Sequence, residues 1–99
     1  MAQQIVVVEG AVSIRERVAI DDGVVTVKLV DASGEVLSAA AIDATGVPVQ
    51  YALSYDPALV PDASKLLLWA VLRTDEGVWG TADLAPVDGE DVYLTRIPD

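Results

Sequence analysis

The side chains able to do chemistry in this sequence are carboxylates, three tyrosines, a few serines and threonines, and little else, because it contains neither histidine nor cysteine. That removes the usual general base near neutral pH, the thiolate nucleophile and the commonest transition-metal ligands. Paired acids occur at Asp21-Asp22, Asp75-Glu76 and Glu90-Asp91, where they could hold calcium or act as an acid and a base. Each pair lies beside a glycine between apolar segments, which is the composition of a solvated turn, and no spacing follows an EF-hand loop. Ser54 and Ser64 have no base partner and no G-x-S-x-G surrounds them. Catalysis is therefore not expected, and neither is a cofactor or a bound metal.

The elements that carry these residues are strands. Along residues 6 to 18 the even positions read Val6, Val8, Gly10, Val12, Ile14, Glu16 and Val18, while the odd ones after Val7 are mostly polar. This period of two predicts a long first strand with an even core face. Glu16 falls on that core parity, so either a bulge or an edge position exposes it, or a basic residue such as Arg73 or Arg96 must meet it inside. Asp22-Gly23 and Ser33-Gly34 bracket a second strand with Val25, Val27 and Leu29 inward, and an alanine-rich third strand spans residues 35 to 42. In the fourth, residues 47 to 55, Val47, Val49, Tyr51, Leu53 and Tyr55 share a face, and Pro48 places its start near a sheet edge.

Asp56-Pro57 reads as an N-cap followed by proline at the first helical position, with Pro61 ending a single turn over residues 57 to 60. Residues 65 to 74 and 78 to 84 form a hairpin about Asp75-Glu76-Gly77, and a last strand covers residues 92 to 97 after Asp88-Gly89. The expectation is an all-β, single domain over residues 1 to 99: a seven- to eight-stranded antiparallel β-sandwich or partly open barrel.

The fifth strand carries an anomaly. With Leu66, Leu68, Ala70 and Leu72 as its core set, the opposite face becomes Leu67, Trp69, Val71 and Arg73, a mostly apolar stripe. A three-residue hairpin loop would place Trp79 outward beside Arg73 and send Val78, Gly80, Ala82 and Leu84 inward, whereas a two-residue Glu76-Gly77 loop would turn Trp79 in. The three-residue loop is the expectation. Ile5 and Val7 join the patch if the first strand lies next to this hairpin. The candidate interface is thus Ile5, Val7, Leu67, Trp69, Val71 and Trp79, with Trp69 at its centre, facing either a second copy or a segment of another protein. The alternative is a strand covered on both faces within the monomer.

Ninety-nine residues, 53% of them hydrophobic and 22% charged, suit one packed core, and a net charge of −10 leaves no basic patch for nucleic acid or an anionic membrane. The longest uncharged apolar run, Leu66 to Leu72, is far below the roughly 20 residues of a spanning helix, and the start MAQQIVVVEG lacks the features of a secretory signal, so a soluble chain without membrane insertion is expected.

The segments VEGAVSIRERVAI, VVTVKLVDAS, GVPVQYALSYDPALV and GVWGTADLAPV resemble the YbaY/YscW family of small envelope lipoproteins, which includes the pilotin-like chaperones of type III secretion. The likeness runs from about Val6 to Leu94, and Gly10 with Arg15-Glu16-Arg17, and Pro48 through Tyr55-Asp56-Pro57, carry most of it. It implies a β-sandwich of the bacterial cell envelope that binds or chaperones a secretion protein such as a secretin, without catalysis. The sequence departs from that pattern in lacking a lipidated Cys and in having Leu67, Trp69 and Val71 where the family alternates apolar with basic residues. A carbohydrate-binding module, with Trp69, Trp79 and Tyr93 stacked on sugar rings, is the competing expectation.

Overall fold

The computed structural model describes residues 5–16, 19–20, 22–60, 62–81, 83–87 and 91–98. Eight strands form, β1 Val6–Ile14, β2 Gly23–Val30, β3 Val36–Ala44, β4 Val49–Tyr55, β5 Leu67–Thr74, β6 Gly77–Gly80, β7 Ala85–Pro86 and β8 Val92–Ile97. Two short 3-10 turns, Pro57–Leu59 and Ala63–Lys65, lie between β4 and β5. The first is the turn that Asp56-Pro57 predicts: Asp56 Oδ1 accepts the Ala58 N–H at 2.9 Å. The second is set by Asp62, whose Oδ1 accepts both the backbone N–H and the hydroxyl of Ser64. Pro61, Val18, Asp21, Ala82 and the Asp88-Gly89-Glu90 turn lie outside the described residues.

The strands run in the order β3-β2-β5-β6-β8-β1-β4, with β7 continuing the β6 side of β5. The two ends of that order, β3 and β4, approach each other without a ladder among the described residues, so the sheet curls into a nearly closed barrel. All pairs are antiparallel except β1 with β8, which run parallel from Val12 opposite Val92 to Ile14 opposite Leu94. A purely antiparallel arrangement is thereby corrected. The parallel pair arises because β8 enters between the β5–β6 hairpin and β1 instead of folding back on its neighbour in sequence.

The core follows the alternation. Val12 and Ile14 of β1, Val25, Val27 and Leu29 of β2, Val49, Tyr51, Leu53 and Tyr55 of β4, and Leu68, Ala70 and Leu72 of β5 fill the barrel. The first strand stops at Ile14, four residues before the expected end, and Glu16 is exposed in the bend that follows, so no basic partner is required for it. At Gly10 the absence of a side chain is structural: a Cβ there would lie 2.6 Å from the Tyr51 hydroxyl and 2.9 Å from Cζ of its ring. The two residues face each other across the β1–β4 ladder, so the aromatic ring fills the space glycine leaves.

Candidate interaction face

The hairpin register decides what the barrel shows outside. Thr74 pairs with Gly77, Arg73 with Val78, Leu72 with Trp79 and Val71 with Gly80, so the loop is the two residues Asp75 and Glu76. The Thr74 hydroxyl accepts the N–H groups of Glu76 and Gly77 at 3.0 and 3.1 Å and donates to the Gly77 carbonyl, closing the turn from its own side chain. Gly77 sits at φ +153, and a Cβ there would strike the Arg96 guanidinium at 2.8 Å.

This register corrects the expected three-residue loop. Trp79 is 0% exposed and belongs to the core, while Val78 and Gly80 take the outward parity and Leu84 is exposed. A shift of one residue in loop length exchanges the two faces of a strand. Trp79 Nε1 is buried with no hydrogen-bond partner, and Arg96 lies over the ring with its guanidinium carbon 5.2 Å from the centroid. The Arg96 head is itself held by donating from Nη2 to the Glu76 carbonyl at 3.0 Å.

On β5 the parity stands as expected: Leu67 and Trp69 are half-buried and Arg73 is exposed. Val71, however, is only 5% exposed although it lies outside the interior cluster. A Cβ on Gly80 would meet Ile97 Cδ1 at 2.9 Å and Val71 Cγ2 at 3.4 Å, so Ile97 of β8 and Val71 of β5 both border the space that the glycine leaves. Ile5 and Val7 are 54% and 55% exposed, but β1 is separated from the hairpin by β8, so they form no common patch with Trp69.

The outward surface instead spreads sideways. Val24 lies opposite Arg73, Thr26 opposite Val71 and Lys28 opposite Trp69 across the β2–β5 ladder. On the other side Val78 pairs with Ile97. Lys28 Nζ stands 4.8 Å from the Trp69 ring centroid, and the Arg15 guanidinium carbon stands 4.8 Å from that of Tyr93. The three aromatics that a sugar would stack upon, Trp69, Trp79 and Tyr93, thus each have a cation of their own chain over the ring. Val24, Lys28, Val78 and Ile97 were not among the expected interface residues. The odd-numbered core set of β2 already implied the outward places of Val24 and Lys28, and the hairpin register supplied the others.

A cleft of about 290 Å³ opens between the β2–β3 turn and the second 3-10 turn, lined by Asp31, Ala32, Ser33, Val60, Asp62, Lys65 and Leu66. Hydrogen bonds from the Ser33 hydroxyl and from the N–H groups of Glu35 and Ser33 hold the Asp31 carboxyl below its ordinary 3.8. Those from the Ser64 hydroxyl and N–H do the same for Asp62. Both carboxylates are thereby engaged in shaping their own turns. Among the described residues no group of three acidic side chains converges as a metal site would require.

An outward face that mixes apolar with basic side chains on an acidic barrel invites comparison with known proteins. The family described as type III secretion system lipoprotein chaperone (YscW) matches residues 3–94. The chain belongs to that family. No curated protein sequence matches it. Among solved structures, this YscW-family chain is similar to an alternative pilotin from the type II secretion system of Vibrio cholerae, at 22% identity and a TM-score of 0.81 over 97% of this chain and 100% of that one. At that identity the likeness establishes a shared fold. Among the described residues the YscW-family barrel has no helix long and apolar enough to cross a membrane.

Proposed function

We propose that this YscW-family chain is a non-catalytic, chaperone-like module that binds a segment of a secretion protein, such as a secretin, in the bacterial cell envelope. The observation that carries the reading is the family match over residues 3–94, whose description is that of a lipoprotein chaperone. The fold shared with a type II secretion pilotin supports it, as does an outward face on β2, β5, β6 and β8 that combines exposed apolar residues with cations. A module of this kind works by holding a partner segment against a preformed surface, so its output is a bound state and its measure is an affinity.

The test is calorimetric titration of the chain with the soluble C-terminal region of the secretin from the same organism, paired with deletion of the gene and quantification of secretin multimers in outer-membrane fractions. Binding in the micromolar range or tighter, with loss of multimers on deletion, is the expected result. No heat with any envelope secretin and unchanged multimers would remove this reading.

A further inference from the structure

The charge of this protein is distributed unevenly between its strands and its turns. Of the sixteen acidic residues in the sequence, only Glu9 of β1 and Asp43 of β3 lie in a strand among the described residues. Strands β2, β5, β6 and β8 contain no carboxylate at all, yet Lys28, Arg73 and Arg96 are on them. Arg96 is occupied at the barrel end by Trp79 and the Glu76 carbonyl. Lys28 and Arg73 point outward from the central β2–β5 pair, and among the described residues neither has a carboxylate within ion-pair distance.

Between these two cations the surface is apolar and low. The accessible apolar side chains there are half-buried Trp69 and exposed Val24 beside Arg73, with Val71 buried between the cations and Ile97 exposed beside Gly80. Lys28 is level with Trp69, four residues from Arg73 along β5, so the two charges are spaced by roughly 13 Å in the strand direction. At physiological salt the Debye length is about 8 Å, which screens the acidic turns from a ligand lying on this strip and leaves Lys28 and Arg73 as its nearest charges, with Asp43 of β3 beyond Val24 at the edge of the same face.

We infer that this outer face of β2 and β5 docks an acidic, amphipathic segment of a partner protein, with carboxylates meeting Lys28 and Arg73 and apolar side chains resting on Trp69 and Val24. The inference rests on the chaperone-like reading above and deepens it by naming the surface and the sign of the partner's charge. Apolar contact supplies most of the affinity. The two cations select an acidic over a basic segment and fix its register, because reversing the partner's charge would set like charges against each other.

The experiment is a titration of the isotope-labelled full chain followed by two-dimensional NMR, using synthetic peptides of equal length and equal leucine content that carry either glutamate or lysine at every polar position. In buffer of physiological ionic strength the glutamate peptide is expected to shift the Lys28 and Arg73 amides and the Trp69 indole, the lysine peptide to leave them in place, and molar sodium chloride to weaken the effect. The double variant Lys28→Glu, Arg73→Glu should lose at least tenfold in affinity for the glutamate peptide, while Arg15→Glu, beside Tyr93 of β8, should keep it. Should the double reversal unfold the chain, Lys28→Gln with Arg73→Gln gives the same comparison.

A glutamate peptide that moves none of these resonances, or moves only others, overturns the inference. So does broadening of this face by phosphatidylglycerol vesicles without a response to the peptide, which would assign it to lipid, or a concentration-dependent dimer that already occupies it. Because the peptides are synthetic, failure here leaves the secretin titration to stand or fall separately.

Discussion

Lys28 and Trp69 face each other directly across the β2–β5 ladder, and the lysine ammonium rests 4.8 Å from the indole centroid. The pair keeps a large aromatic half-covered on an outward face. Its strength sets how open that face is to a partner. A cation over tryptophan at such a site is worth about 0.5–1 kcal/mol, and Lys28→Met is expected to lower stability by no more than that in urea unfolding. In a Trp79→Phe background the same change should increase acrylamide quenching of the one remaining tryptophan. Unchanged quenching would mean that the ammonium does not shield the ring.

Trp79 is the largest fully buried side chain. Trp79→Ala is expected to cost about 3–5 kcal/mol through lost burial and the cavity left behind. Trp79→Phe should cost less than half as much, since it also removes an indole N–H that is buried without a partner. Equal losses for the two variants would show that the N–H has found a partner in solution.

Two glycines separate shape from chain entropy. Gly10→Ala drives a methyl group into Tyr51 and is expected to destabilise by about 1–3 kcal/mol. At Gly46 an added Cβ meets nothing within 4 Å and φ is not in the left-handed region. Gly46→Ala should therefore be neutral or stabilising by up to about 1 kcal/mol through the unfolded chain. Thermal unfolding of both variants checks the contrast, and a neutral Gly10→Ala would mean that the Tyr51 ring moves aside freely.

The acid response follows from Asp31 and Asp62. Their carboxyls are held below 3.8 in the folded state by serine hydroxyls and backbone N–H groups. A carboxylate with a lowered folded pKa contributes its stability in full above the unfolded value and loses it as pH falls through the folded one. The wild type is therefore expected to exceed an Asp31→Asn, Asp62→Asn variant by a constant margin from neutral pH down to about 5, with that margin shrinking below 3.8. Urea midpoints across that range measure it. A margin that grows on acidification would reverse the assignment.

The β8 span Val92–Ile97, the core set of β4 and the inward row of β5 were all legible as alternation, because one side of each strand faces a dry interior and the other does not. Trp79 was misplaced by the hairpin alone. Asp75-Glu76-Gly77 reads naturally as a glycine-bearing loop, and nothing in its composition reveals that the Thr74 hydroxyl would cap a two-residue turn and make Gly77 the first residue of β6. The outward row of β5 was found, yet Leu67, Trp69 and Val71 emerged with unequal exposure because their neighbours on β2, β6 and β8 differ.

By itself the amino-acid sequence determined that this would be a small acidic all-β protein, roughly where most of its strands lie, which residues on most of them turn inward, and the family it belongs to; it did not show that the sixth strand stops at Gly80 or that Ala85–Pro86 adds a short strand to β5. Periodicity is a local property: it depends only on which side chains alternate along one strand. Only the tertiary structure decided that β8 runs parallel to β1, that β3 and β4 come together without a ladder among the described residues, and that Ile97 and Val71 border the same space over Gly80. Those outcomes depend on which strands become neighbours when the barrel curls shut, and that choice is made by packing between residues far apart in the chain, about which the pattern within any one strand carries no information.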